Sequence, residues 1–189
     1  MSNFPVQWIV IAVAAAIAIW AIVIFNGLVR GRNMVREAWS GIDVQLRRRS
    51  DLIPNLVAAV KAYAAHERGL FEDIAAKRAA SLGAGGVQAK SAAEGQLQGS
   101  LGRLMAVAEA YPELKANPNF LDLQHQLSDI EEQLQMARRY YNGTVRDFNI
   151  AVRTLPGALI AAPLGMREEP FFQTDAASAA VPVVNLAGA

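Results

Sequence analysis

The chain has 189 residues and a formal net charge of +1, so it carries no global basic field that would argue for nucleic acid as its partner. Cysteine is absent, which excludes disulfides, thiolate metal sites and thiol catalysis together. With 53% hydrophobic and 19% charged residues, subtracting an anchor of about 20 residues leaves one domain with a core of its own.

The first predicted element is a membrane span. Val6 to Phe25 reads VQWIVIAVAAAIAIWAIVIF, with no charge and one strongly polar residue, Gln7, near its start. At roughly 1.5 Å per residue it covers about 30 Å, the thickness of a bilayer's hydrocarbon core. Pro5 suits a first helical turn, and Trp8 and Trp20 lie towards the two ends, where an interfacial belt places tryptophan. A cleavable signal peptide wants a basic n-region and a shorter apolar run, and residues 1–5 bring no charged side chain. A buried soluble helix is the other alternative, and the missing polar face speaks against it.

Arg30, Arg32 and Arg36 follow the span closely and nothing charged precedes it. The positive-inside rule then places the N-terminus outside and the domain in the cytoplasm. The same arginines have a second possible use, contact with anionic headgroups of the bilayer.

From Val35 the apolar positions fall into a 4-3 rhythm through Trp39, Ile42, Leu46, Ile53, Leu56, Val60, Tyr63, Leu70 and Ile74, interrupted at Arg49 and Glu67. This predicts one long amphipathic helix ending at Gly83–Gly86. Pro54 predicts a kink or short break in it near Asp51–Asn55. A second, shorter helix is expected from about Ala89 to Tyr111, with Leu97, Leu101, Leu104 and Ala108 on one face. Gly95, Gly99 and Gly102 make that helix weak alone or let a neighbour approach closely.

Residues 111–116 read as a connector. Asn117 then offers an N-cap and Pro118 a first helical residue. Phe120, Leu123, Leu127, Ile130, Leu134, Ala137, Tyr141, Thr144, Phe148, Ala151 and Leu155 keep 3-4 spacing until Pro156-Gly157 stops the helix. Residues 157–165 allow one more short helix. Beyond Met166 the chain reads as an extended or disordered tail, with Phe171-Phe172 as its docking point.

The fold class expected is therefore all-α: an N-terminal transmembrane helix followed by an elongated antiparallel bundle of three to four helices, two of them long. The expected boundaries are a short extracytoplasmic N-terminus over 1–5, the anchor over 6–25, the bundle over 26–165 and the tail over 166–189.

Catalytic chemistry finds little to work with. Gly83 to Ser91 only superficially resembles a phosphate loop, since alanines stand where its glycines belong and no strand precedes it. Only two histidines exist, His66 and His125, and the Glu-x-x-His pairs of a di-iron bundle are missing. No cofactor, metal site or small-molecule substrate is expected. Arg47-Arg48-Arg49 cannot share one helical face; some of them are expected to pair with Asp43 or Asp51, and others to solvate the helix or meet an acidic partner. Asn142 and Asn149, two turns apart beside the seam, read as buried polar pairings that fix helix register, with a ligand site as the alternative.

Specific residues then carry a resemblance. Arg32 to Val57, RNMVREAWSGIDVQLRRRSDLIPNLV, resembles the signature of the bacterial LemA family. The likeness continues at Val60-Lys61, Tyr63-Ala64, His66-Glu67, Tyr111 to Asn117, Asn119-Phe120, Leu123-Gln124, Ala137 to Arg139, Tyr141-Asn142, Val145 and Phe148-Asn149. It covers roughly residues 25–165, and the tail beyond Phe172 lies outside it. Phe25, Ala62 and Leu155 stand where the family often has tyrosine, glycine and phenylalanine. The resemblance implies a membrane anchor, an antiparallel helical bundle, no established catalysis, and a link to a branch associated with building magnetosome membranes.

Two functional readings follow from the residues and the resemblance. The first is a non-enzymatic scaffold that organises membrane by forming a homo-oligomer or recruiting a membrane-protein partner. The second is an adaptor in envelope stress or membrane-protein quality control, acting on a membrane protease or similar partner. Candidate motif residues for either are Trp39, Asp43, Arg47, Asp51, Pro54, Asn55, Asn142 and Asn149.

Overall fold

The structure, a computed structural model, describes residues 6–173. Among them there is no strand, and the chain is all-α. The helices are α1 (Val6–Lys61), α2 (Arg68–Gly83), α3 (Val87–Glu109), α4 (Pro112–Lys115), α5 (Pro118–Arg153) and α6 (Gly157–Ala161). The expected extracytoplasmic stretch over 1–5 and most of the expected tail, 174–189, lie outside the described residues.

Two compact units divide the described chain: residues 6–42 with 137–170, and residues 43–136 with 171–173. The long helices α1 and α5 each lend one part to each unit.

In the first unit α1 and α5 run antiparallel. The rings of Trp39 and Tyr141 lie 5.6 Å apart at 59°, and a Cβ on Gly31 would stand 3.2 Å from the Phe148 ring. Leu28, Val35, Ala38 and Ile42 of α1 are buried, as are Tyr141, Val145 and Phe148 of α5. Burying each large apolar side chain contributes about 1.5–3 kcal/mol. By contrast the apolar run at the start of α1 is exposed: its most hydrophobic window, mean hydropathy 2.9, is 0% buried. That excludes the core helix of a soluble domain.

In the second unit the C-terminal part of α1, α2, α3 and the first part of α5 form an antiparallel bundle. Arg78 of α2 reaches back to Ser50 of α1, Arg103 of α3 to Asp73 of α2, and Gln45 of α1 to Gln133 of α5 at 3.3 Å. The core joins Ile53, Leu56 and Val60 of α1 with Phe71 and Ile74 of α2, Leu97, Leu101 and Leu104 of α3, Leu114 of α4, and Phe120 and Ile130 of α5.

Two expectations about the first long helix are corrected. Of the kink or short break expected near Asp51–Asn55, the break is absent: Pro54 lies inside an uninterrupted α1. Proline deprives the Ser50 carbonyl, one turn back, of its helical donor, and Arg78 Nε donates to that oxygen at 2.7 Å instead. Nor does the seam continue to Gly83. The chain turns at residues 62–67, where Ala64 N–H bonds Val60 O at 2.9 Å and Glu67 N–H bonds Ala64 O at 3.1 Å, and α2 then folds back on α1. Glu67, the second interruption of the seam, marks that turn. Gly99 and Gly102 face open space, so no neighbour exploits them for close approach.

The start of α5 is as expected. Asn117 Oδ1 accepts from Asn119 N–H at 2.9 Å and from Phe120 N–H at 3.4 Å, with Pro118 as the first residue of the helix. The short helix after Pro156 is also present. Gly157 must be glycine, because a Cβ there would fall 1.9 Å from the Ala151 carbonyl oxygen. Residues 166–173 have no helix, yet they are tied down: Phe172 is 2% exposed.

Candidate functional site

The charged feature most deeply set in the molecule is Arg49. It occupies an inward position between Leu46 and Ile53 on α1 and is 0% exposed. Its Nη1 donates to Gln98 Oε1 at 2.8 Å and to Glu131 Oε1 at 2.5 Å, and its Nη2 pairs with Glu94 Oε2. The other oxygen of Glu94 accepts from the Ser81 hydroxyl, and Lys90 Nζ donates to the Ser81 carbonyl at 2.8 Å. Helices α3 and α5 thus supply the partners of one guanidinium on α1, α2 joins through Ser81 and Glu94, and the two cations of the cluster balance its two carboxylates. An unpaired charge here would cost several kcal/mol, which is why α3 and α5 both bring carboxylates to it. The cluster is buried around Arg49 and Glu94, with Arg49 Nε left without a hydrogen-bond partner among the described residues. Ser81 has no imidazole beside it, since His125 is exposed and His66 lies 3.4 Å from the Tyr111 hydroxyl. Activated-nucleophile chemistry needs a base within such reach of the hydroxyl.

A second polar cluster joins α2 and α3 nearer the surface. Asp73 Oδ2 accepts from Ser100 Oγ at 2.6 Å, Lys77 Nζ at 3.0 Å and Arg103 Nη2 at 2.5 Å. The Ser100 hydroxyl first, and then the Lys77 ammonium, hold its carboxyl below the ordinary value of 3.8.

The third feature is a clasp on the C-terminal segment. Asn149 grips the backbone of Glu169 from both sides, its Nδ2 donating to the carbonyl at 2.9 Å and its Oδ1 accepting the N–H at 2.8 Å. Tyr141 Oη donates to the Pro170 carbonyl at 2.8 Å. Burial, and then the Glu169 carboxylate, push the Tyr141 phenol up to about 12. Further along, Ser91 Oγ donates to the Gln173 carbonyl.

The structure separates the residues singled out from sequence. Asp43 pairs with Arg47 Nε at 2.9 Å, as spacing foretold, while Arg48 donates to Gln45 at 3.3 Å. Asp51 and Asn55 come together in a groove of about 350 Å³ with Arg48, Leu52, Gln126, Asp129 and Ile130. Pro54 is exposed. Trp39 meets Tyr141. Asn142 is half-buried, whereas Asn149 locks a segment of irregular backbone where a register-fixing partner was expected. Of the basic collar, Arg32 lies 3.9 Å from Glu169, and Arg30 and Arg36 are exposed. Sequence reasoning missed Arg49 and Glu94 as a pair. Arg49 visibly breaks the apolar seam of α1, but Glu94 lies ahead of the Leu97, Leu101 and Leu104 stripe of α3, and no local spacing joined the two. Among the described residues no group of three or more His, Asp or Glu side chains could hold a metal ion.

The sequence model of one family matches residues 38–186. The chain belongs to the LemA family. Relatives of this LemA chain include the magnetosome protein MamQ of Magnetospirillum gryphiswaldense, 25% identical over 91% of this chain and 74% of that protein. Magnetosome proteins MamQ 1 and MamQ 2 of Paramagnetospirillum magneticum are each 26% identical, over 87% of this chain and 71% of theirs. The LemA match begins later and ends later than the residues carrying the resemblance, and takes in the stretch beyond Phe172. Arg49, Glu94, Glu131, Tyr141 and Asn149 all fall within it, and the apolar run, Arg30, Arg32 and Arg36 precede it.

Proposed function

We propose that this LemA-family chain is a non-enzymatic, membrane-anchored scaffold that assembles with itself or recruits partners at the bacterial inner membrane. The observation that carries the reading is the wholly apolar, unburied start of α1, continuous with a helix of the bundle. Residues 6–25 anchor the chain, and Arg30, Arg32 and Arg36 hold the domain on the cytoplasmic side. Confinement to a membrane raises effective concentration, so weak lateral contacts suffice for assembly. The buried polar groups support the same reading. Arg49, Glu94 and Ser81 are spent on one another, and Asn149 and Tyr141 on the tail, which leaves the exposed surface as the place where function resides. Relatives named as magnetosome proteins favour a role in organising membrane.

Two measurements on membranes from cells expressing the chain test this. The protein should resist carbonate extraction, and cross-linking in situ should trap homotypic species. Release by carbonate would overturn the anchor. Strictly monomeric protein with no captured partner would overturn the scaffold. One dominant heterologous membrane protein in place of homotypic species would move the reading to the adaptor.

A further inference from the structure

The second long helix ends at a height that the sequence of the first explains. In the unit holding residues 6–42 and 137–170, Tyr141 stands beside Trp39 and Phe148 beside Gly31. Each step up α5 is therefore matched by a step back down α1. Arg153, five residues beyond Phe148, falls level with Asn26, five residues before Gly31, which is where the apolar run gives out. There α5 stops and the chain turns into α6. Leu28, three residues past Phe25, is buried at 3% exposure, and its side chain lies 3.8 Å from the Cβ position of Gly157.

The side chains of this corner are distributed the wrong way round for water. The small residues Gly157 and Ala161 face inward and are buried. The large ones face out: Leu155 is 73% exposed, Leu159 62% and Leu164 50%. A cluster of exposed leucines of this kind marks an interaction surface. Its placement at the end of a membrane span selects the occupant, because a residue level with the hydrocarbon boundary meets lipid.

We propose that the α5–α6 corner is a second membrane contact, in which Leu155, Leu159 and Leu164 insert into the bilayer interface beside the anchor. The contact rests on the anchoring of residues 6–25. It gives the chain two attachments, one spanning and one interfacial, so that the unit carrying them is held at a fixed height against the lipid.

The absence of cysteine makes the test direct. Full-length L155C, L159C and L164C variants, each carrying an environment-sensitive fluorophore, are reconstituted into phosphatidylcholine–phosphatidylglycerol vesicles. I17C, inside the span, and A80C, exposed on α2, serve as references. The corner probes should emit to the blue of the Ala80 probe, lose most of their emission to bromine-labelled lipid, and resist aqueous iodide. Quenching by iodide and not by brominated lipid would overturn the corner contact. Shielding from both quenchers, with disulfide dimers formed by L159C left unlabelled, would overturn it in favour of a second copy of the chain. If the Ile17 probe also escapes the brominated lipid, the anchor itself has failed. If it is quenched while the corner probes are not, only the interfacial contact falls.

Discussion

Arg49 sets the residue scale, because a guanidinium at 0% exposure has meaning only through its partners. Removing one member of a buried ion pair strands the other charge, at a cost of about 3–5 kcal/mol. R49M and E94L should each lower unfolding stability by an amount of that order. The R49M/E94L double variant should lose less than the two single losses together, because neither central charge is then left facing an apolar neighbour. Chemical denaturation of the detergent-solubilised protein measures all three, and simple additivity would show that Arg49 and Glu94 are independent. Tyr141 offers a check by pH. Its phenol is raised from 10.0 to about 12, so folding favours the protonated form. That contribution is fully present below pH 10 and is lost as pH rises towards 12. Of the four tyrosines, one should therefore ionise late in an ultraviolet titration of phenolate, and Y141F should abolish the late step.

At the scale of elements, α1 shows how a helix accommodates proline when a neighbour supplies the missing donor. Arg78 Nε donates to the Ser50 carbonyl at 2.7 Å, and Ser50 is 2% exposed. Losing a charged donor to a buried carbonyl costs about 1–3 kcal/mol. R78A should carry such a cost in the natural background and much less in P54A, where the new backbone N–H serves Ser50 from within the helix. A thermal-denaturation cycle over the four proteins gives the coupling, and an unchanged cost of R78A in P54A would detach Arg78 from Pro54. The same place explains what was legible beforehand. Local signals were readable: the Asn117-Pro118 start of α5, its stop at Pro156-Gly157 and the apolar stripe between them. The intact α1 was not, because its donor is Arg78, 28 residues away from Ser50. The Asn149 clasp stayed hidden for a like reason, since its partner is the backbone of Glu169, which leaves no trace in side-chain spacing. Arg49 was half legible. It broke the seam visibly, but nothing local named Glu94 and Glu131 as the groups that would permit it.

For the whole molecule the decisive asymmetry is electrostatic. Residues 1–25 carry no charged side chain, while Arg30, Arg32 and Arg36 follow within a dozen residues of Phe25. Basic residues close to the end of a span resist translocation, and acidic residues weigh little in that balance. The single Glu37 nearby therefore does not offset them, and on the proposed reading the N-terminus is the end expected to cross. In spheroplasts a membrane-impermeant maleimide should label an S2C variant and leave A80C unlabelled until the membrane is permeabilised. In the S2C and A80C backgrounds, replacing Arg30, Arg32 and Arg36 by glutamine while placing lysines at Asn3 and Phe4 should move the chain towards the reverse labelling, because the flanking charge then lies on the other side of the span. Labelling of A80C in intact spheroplasts of the natural sequence would put the domain outside, and with it the interfacial corner, which lies on the domain's side of the bilayer by virtue of Leu28 and Gly157. The arginines would then be left to their other use, contact with anionic headgroups on the outer leaflet.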